Sequence, residues 1–113
     1  MLAKKYKLKK KNDFKSVFKK GRFYGNSFLS VKISKNDLKI SRFAFVVGLK
    51  ISKKAVVRNK IKRLLSAVIK FHLAEIKTGF DIVFLPNPDI VEKDYKDIEK
   101  VINNLFKQAN LWI

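Results

Sequence analysis

Between residues 53 and 70 the chain carries Lys53, Lys54, Arg58, Lys60, Lys62, Arg63 and Lys70, together with Asn59 and Ser66, and no acidic residue. These side chains suit one chemistry above others, the holding of phosphates. Lysine supplies a mobile point charge, arginine a planar fork that meets two phosphate oxygens at once, and asparagine both donates and accepts. They do not suit phosphodiester hydrolysis, which needs clustered carboxylates for metal ions or a histidine as general acid and base. The first 70 residues hold only Asp13 and Asp37, and the single histidine is His72. Glu92, Asp94, Asp97 and Glu99 gather near the start of the last expected helix, where negative charge complements the helix dipole. The sequence therefore offers candidate anion-binding residues, no catalytic residue and no metal ligand.

At about 100° per residue, AVVRNKIKRLLSAVIK reads as one long helix, from about 56 to 72. Val57, Ile61, Leu64, Leu65, Val68 and His72 form its apolar stripe, with His72 expected as a partly buried core residue. Asn59, Lys62, Arg63, Ser66 and Lys70 fall opposite, flanked by Arg58 and Lys60. An ordinary solvated helix face interleaves Glu with its Lys at i, i+4. Here no acid occurs from Lys39 to Leu73, which favours a cationic ridge built for a polyanion. A helix anchored to a membrane surface would instead show Trp, Phe and Leu beside the cations, and this ridge is not expected to.

The wider chain agrees. It has 113 residues, 27 Lys+Arg against 9 Asp+Glu, a net charge of +18, 47% apolar residues and no cysteine. That length suits one domain spanning 1–113, and the absence of cysteine excludes a disulfide scaffold, a thiolate zinc site and a Cys nucleophile. All of the excess positive charge lies in residues 1–70, the remainder being slightly acidic, and it is more than solubility requires. Self-repulsion on that scale is relieved by a polyanion, so the expected partner is nucleic acid and not a membrane. No apolar run is long enough to span one; a soluble, cytoplasmic protein is expected.

The elements that position these residues can be read in order. Residues 1–11 form a lysine-rich arm, followed by a short helix capped by Asn12 and stopped at Gly21, with Phe14, Val17 and Phe18 on one face. Residues 27–33 alternate as a strand, with Leu29, Val31 and Ile33 on one face and Phe28, Ser30 and Lys32 on the other. Residues 42–49 read as a second strand, most simply antiparallel to the first, and FDIVFL at 80–85 as a third, stopped by Pro86 and Pro88. A final helix over about 92–109 buries Tyr95, Ile98, Ile102, Leu105, Phe106 and Ala109. The expected fold is a single α+β domain of order αββαβα, with helices covering one side of a small sheet.

The same residues resemble a known family. Ser52-Lys53-Lys54 followed by A-V-x-R-N-K-I-K-R-L, after a glycine-bearing strand, resembles the signature of the protein subunit of bacterial ribonuclease P. NDFKSVFKKG resembles that family's first helix, in which two phenylalanines four apart precede a glycine. The resemblance spans essentially the whole chain. It departs in two places: the family usually has two or three residues, often with a glycine, between S-K-K and A-V, and Lys60 stands where an arginine is common.

The resemblance implies a mixed sheet with a left-handed βαβ crossover at the long helix, against the usual right-handed rule, as in the second domain of a small-subunit ribosomal protein. It also implies a function: one protein per catalytic RNA, together removing the 5′ leader of precursor tRNA, with Mg²⁺ accompanying the RNA and the protein not catalytic alone. The catalytic RNA would meet Lys53, Lys54, Arg58, Asn59, Lys60, Lys62, Arg63, Ser66 and Lys70. A cleft between the first helix and the sheet would take the single-stranded leader, lined by Phe14, Lys15, Phe18, Phe28, Ser30 and Lys32; aromatic rings beside cations suit a strand whose every base offers a π-face. The alternative from composition alone is a small structural RNA-binding protein, such as a ribosomal protein, with no part in cleavage.

Overall fold

The alternating residues of the chain form a mixed four-stranded sheet, and the computed structural model, which describes residues 2–113, packs helices on both of its faces. The order is α1 (Lys11–Lys20), β1 (Arg22–Asn26), β2 (Leu29–Lys35), β3 (Arg42–Phe45), α2 (Ala55–His72), β4 (Phe80–Pro86) and α3 (Tyr95–Gln108), with short 3-10 turns at Lys4–Tyr6, Leu73–Glu75 and Pro88–Glu92. The strands lie in the order β1-β2-β4-β3.

Three expectations are corrected. The order gains a strand, β1, which pairs antiparallel with β2 through a two-residue turn at Ser27 and Phe28. Ser27 takes φ 53°, a left-handed conformation more usual for Asn or Gly; the Gly25-Asn26 pair marks a turn in the sequence, but it closes β1 and the Ser-Phe pair after it makes the turn. The 42–49 strand is not antiparallel to β2. It is shorter, and β3 lies parallel to β4, which separates it from β2. Finally, α1 sits alone on the opposite face of the sheet from α2 and α3, so the helices do not share one side.

The faces follow from strand alternation. Leu29, Val31 and Ile33 of β2, Phe43 of β3, and Ile82 and Phe84 of β4 point into the larger core. There they meet Ile61, Leu65, Val68 and Ile69 of α2 and Ile98, Ile102, Leu105 and Phe106 of α3. On the reverse face Ala44 and Val83 meet Leu8 and Val17, with Phe14 and Leu85 packed at the edge. α2 forms the crossover between the parallel strands β3 and β4.

Element ends differ in instructive ways. α1 begins one residue before Asn12, after Lys10, with no side-chain cap. Gly21 does end it, but with extended backbone at φ −71°; glycine is needed because a Cβ would collide with the Val17 carbonyl oxygen. α3 starts at Tyr95, three residues later than expected. Asp94 accepts from the Asp97 amide while the Asp97 carboxylate accepts from the Asp94 amide, a reciprocal capping box. The arm over 2–11 is not a free tail. Leu2 and Leu8 are buried, and the Leu8 amide donates to the Phe43 carbonyl, so the arm covers the outer edge of β3.

Candidate nucleic-acid interface

Two surfaces gather most of the residues singled out from the sequence, one along α2 and the lysines before it, the other between α1 and the sheet.

The ridge starts at the head of α2. Lys53 and Lys54 are exposed there, no acidic residue lies in the first turn, and no side chain caps the first amides. Cations at the positive end of a helix dipole are unfavourable unless an anion joins them. α3, with its capping box, shows how the same chain finishes a helix that meets no such partner. The Ser52 hydroxyl accepts from the Lys54 amide at 3.2 Å, and Arg58 Nη1 donates to the Ser52 carbonyl at 2.9 Å. Arg58 thus ties down the shortened approach to the helix and keeps the rest of its fork available.

Along the helix Asn59, Lys60, Arg63 and Lys70 are exposed, while Arg58 and Lys62 are half-buried. Ser66 does not belong with them: it is 2% exposed. α2 packs against α3 and the Pro88–Glu92 turn as well as lying over the sheet, so its buried arc is wider than the apolar stripe and reaches Ser66. The exposed arc is correspondingly less pure than expected, because Val56, Ala67 and Phe71 share it with the cations. His72 is half-buried as anticipated. Its Nε2 lies 2.7 Å from Glu99 on α3, and its Nδ1 lies 3.4 Å from Glu75.

The second surface is set by an ion-pair clamp. Arg42 grips Asp81 with a two-bond fork, Nε to Oδ1 at 2.9 Å and Nη2 to Oδ2 at 2.7 Å, and its Nη1 reaches Asp13 of α1 at 3.2 Å. Asn36 adds a bond to Asp81 Oδ1 at 2.9 Å. The Asp81 hydrogen bonds chiefly, with both carboxylates nearby, hold the Arg42 guanidinium above its already high ordinary pKa. This clamp fixes one end of α1 on the sheet. At the other end Lys32 donates to the Phe18 carbonyl at 2.9 Å, its Nζ 5.7 Å from the Phe18 ring centre.

Between the two ends Phe14 is half-buried, Phe18 is 43% exposed, Lys15 is exposed, and Ser30 and Lys32 are half-buried. Phe28 lies elsewhere. It precedes β2 in the turn, so strand alternation does not govern it, and it is buried in the larger core with Lys93 Nζ 5.4 Å from its ring centre. Phe23 takes a place that sequence reasoning missed. It is 60% exposed and pairs in register with Lys32 on β1, the strand that went unrecognised. Beside it Gly25 keeps the floor open, since a Cβ there would stand 3.3 Å from both the Phe23 ring and Ser30 Oγ. This surface beside α1, termed the trough, thus sets partly open rings next to cations.

Among the described residues no three His, Cys, Asp or Glu side chains gather as a metal site. Among the same residues no helix is long and apolar enough to cross a membrane.

Known proteins are similar to this chain over most of its length. The family model for ribonuclease P matches residues 2–110. A ribonuclease P protein component from Clostridium botulinum (strain 657 / Type Ba4) is 37% identical over 110 residues, covering 96% of this chain and 98% of the relative. Among solved structures, the RNase P protein of Staphylococcus aureus superposes with a TM-score of 0.86 at 28% identity, over 96% of this chain and 98% of that one. That of Thermotoga maritima gives 0.80 at 30% identity, over 89% and 96%.

Proposed function

The chain belongs to the ribonuclease P protein family, and from that membership we propose that it is the protein subunit of a ribonucleoprotein that removes the 5′ leader of precursor tRNA. The RNA carries the catalysis in this reading. Lys53 and Lys54 before α2, with Arg58, Asn59, Lys60, Lys62, Arg63 and Lys70 on it, bind that RNA, and the trough between α1 and the sheet holds the leader through Phe14, Lys15, Phe18, Ser30 and Lys32, with Phe23 added. Ser66 and Phe28 are left out because both are buried.

One observation carries the reading. Exposed Lys53 and Lys54 lead into a helix whose first amides no side chain caps, and the helix continues into exposed Asn59, Lys60, Arg63 and Lys70, with no acid anywhere between Lys39 and Leu73. Phosphates complete such a surface by cancelling its self-repulsion and meeting its free amides. The trough adds what a single strand needs, rings for any base and lysines for the backbone. Mg²⁺ would neutralise phosphate charge during cleavage. The described residues bring together no carboxylate cage for it, so the proposal assigns it to the RNA.

The test is reconstitution. Purified protein added to the bare catalytic RNA should restore leader cleavage at Mg²⁺ concentrations where the RNA alone is inactive, and the protein alone should cleave nothing. Failure to restore cleavage, with the protein instead sedimenting with ribosomes, would favour a structural RNA-binding role.

A further inference from the structure

Phe71 stands on the exposed arc of α2 with 73% of its surface open to solvent. Single exposed apolar residues are commonplace, but this one has unusual surroundings. On one side it shares an open hollow of about 550 Å³ with Arg63, Ala67 and Lys70. On the other it borders a groove of about 400 Å³, together with Tyr6, Ile40, Leu73, Ala74 and Thr78. Tyr6 comes from the basic arm and carries Lys5 Nζ 5.0 Å from its ring centre. Two aromatic rings from distant parts of the chain thus border one groove, with Lys70 on its rim and no acid within the helix that supplies it.

We propose that this groove seats an unpaired nucleotide of the catalytic RNA, its base stacked on Phe71 and its neighbouring phosphates on Lys70 and Arg63. The inference rests on the reading of α2 as an RNA-binding ridge and extends it from charge to shape. The groove volume falls in the lower part of the roughly 300–1,000 Å³ range of small ligand sites, room for one nucleotide and not for a duplex. Its lining is apolar where a base would lie, and the hydroxyl of Thr78 at the rim can donate to or accept from a base edge. Charge complementarity selects the occupant. An apolar peptide would gain nothing from Lys5, Lys70 and Arg63, whereas a nucleotide uses the rings and the cations together. The site is separate from the trough under α1, which lies on the reverse face of the sheet.

The experiment measures binding of the full-length protein to transcribed ribonuclease P RNA across a salt series. Phe71→Leu keeps an apolar side chain and removes the ring; because the position is exposed, the melting temperature should hold. Affinity should fall about 5- to 150-fold, the usual loss for one stacked base, at every salt concentration, with the salt slope unchanged because no phosphate contact is lost. Phe71→Tyr should bind like the wild type. A Phe71→Leu variant that binds the RNA as tightly as wild type overturns the stacking site. If that result stands beside a flattened slope in the Lys60→Ala, Arg63→Ala, Lys70→Ala triple variant, the ridge survives and only this inference fails. A wild-type protein that binds this RNA no better than an unrelated RNA of equal length removes both. Phe71→Leu that spares RNA affinity but abolishes adsorption to phosphatidylglycerol vesicles would overturn the inference in favour of a lipid surface.

Discussion

The two faces of the sheet are built from adjacent residues of the same strands and end in opposite conditions. Toward α2 and α3 the strands present Leu29, Val31, Phe43, Ile82 and Phe84, all at most 2% exposed, and two helices seal them. Toward α1 they present Ser30, Lys32, Ala44, Val83 and Leu85, and of the single ten-residue helix that covers them only Val17 is itself buried. Hydrophobic burial, at about 25 cal/mol per Å², can hold the first face together without help. The second face lacks the area, so it relies on the Arg42–Asp81–Asp13 clamp and leaves Phe18 and Phe23 uncovered. A face too poor in apolar surface to close becomes a place where a ligand can complete it.

The largest expected effect lies on the sealed face. Phe84 is fully buried, its ring centre 5.3 Å from Phe45 and 6.0 Å from Phe106. Phe84→Ala should cost about 3–5 kcal/mol in chemical denaturation, from lost transfer energy and a cavity that the surrounding rings cannot fill. A loss below 1 kcal/mol would mean that the two faces are less different than described.

Next comes the clamp. Asp81→Ala leaves Arg42 without its fork and should destabilise the fold by about 2–3 kcal/mol. It should also loosen α1, seen as faster hydrogen exchange over residues 11–20 than over α3. Equal changes in both helices would show that the clamp serves the whole fold and not the trough.

Surface cations of the ridge should behave in the opposite way. The Lys60→Ala, Arg63→Ala, Lys70→Ala triple variant removes exposed side chains and should change stability by no more than about 0.5 kcal/mol per site. Its RNA affinity should lose roughly 0.7–0.9 log units of salt dependence per phosphate contact removed. An unchanged slope would mean that these residues do not meet the RNA backbone.

The smallest effect is at the cap of α3. The Asp97 amide hydrogen bond, above all, holds the Asp94 carboxyl below its ordinary pKa. A group depressed in the folded state contributes stability that is fully present above its unfolded pKa and is lost as pH falls through the folded value. Melting temperature should therefore decline slightly in acid, and Asp94→Asn should remove that part of the decline. An identical acid profile in the variant would assign the decline to other carboxylates.

The contrast between the faces explains what could be read from the chain. Periodicity exposed much of the sealed side: Ile61, Leu65 and Val68 of α2, Leu29, Val31 and Ile33 of β2, and Ile98, Ile102, Leu105 and Phe106 of α3 are buried where their spacing put them, whereas Tyr95 and Ala109 are only half-buried and the buried Ile69 and Val101 were not anticipated. The cationic ridge was visible because an uninterrupted lack of acid is a property of composition. The trough was harder. Phe23 sits on β1, whose five residues lack clear alternation and whose Gly25-Asn26 pair reads more readily as a loop than as the end of a strand. Phe28 was misplaced because it lies just outside β2, and Ser66 because a helix packed on several neighbours buries more than its apolar stripe. The parallel placement of β3 beside β4 depends on long-range packing, which no local pattern encodes.

If the open face is a leader site and not a defective core, substitution of Phe18 should reveal it. Phe18→Ala should be measured in the assembled ribonucleoprotein for melting temperature and for the ratio of precursor to mature tRNA affinity. At 43% exposure the ring contributes little to folding, so the melting temperature should hold while precursor binding weakens by about 1–3 kcal/mol and mature tRNA binding stays constant. Phe14→Ala, at a half-buried ring, should show both effects together. A marked fall in the Phe18→Ala melting temperature with the ratio unchanged would contradict the claim and return α1 to an ordinary packing role.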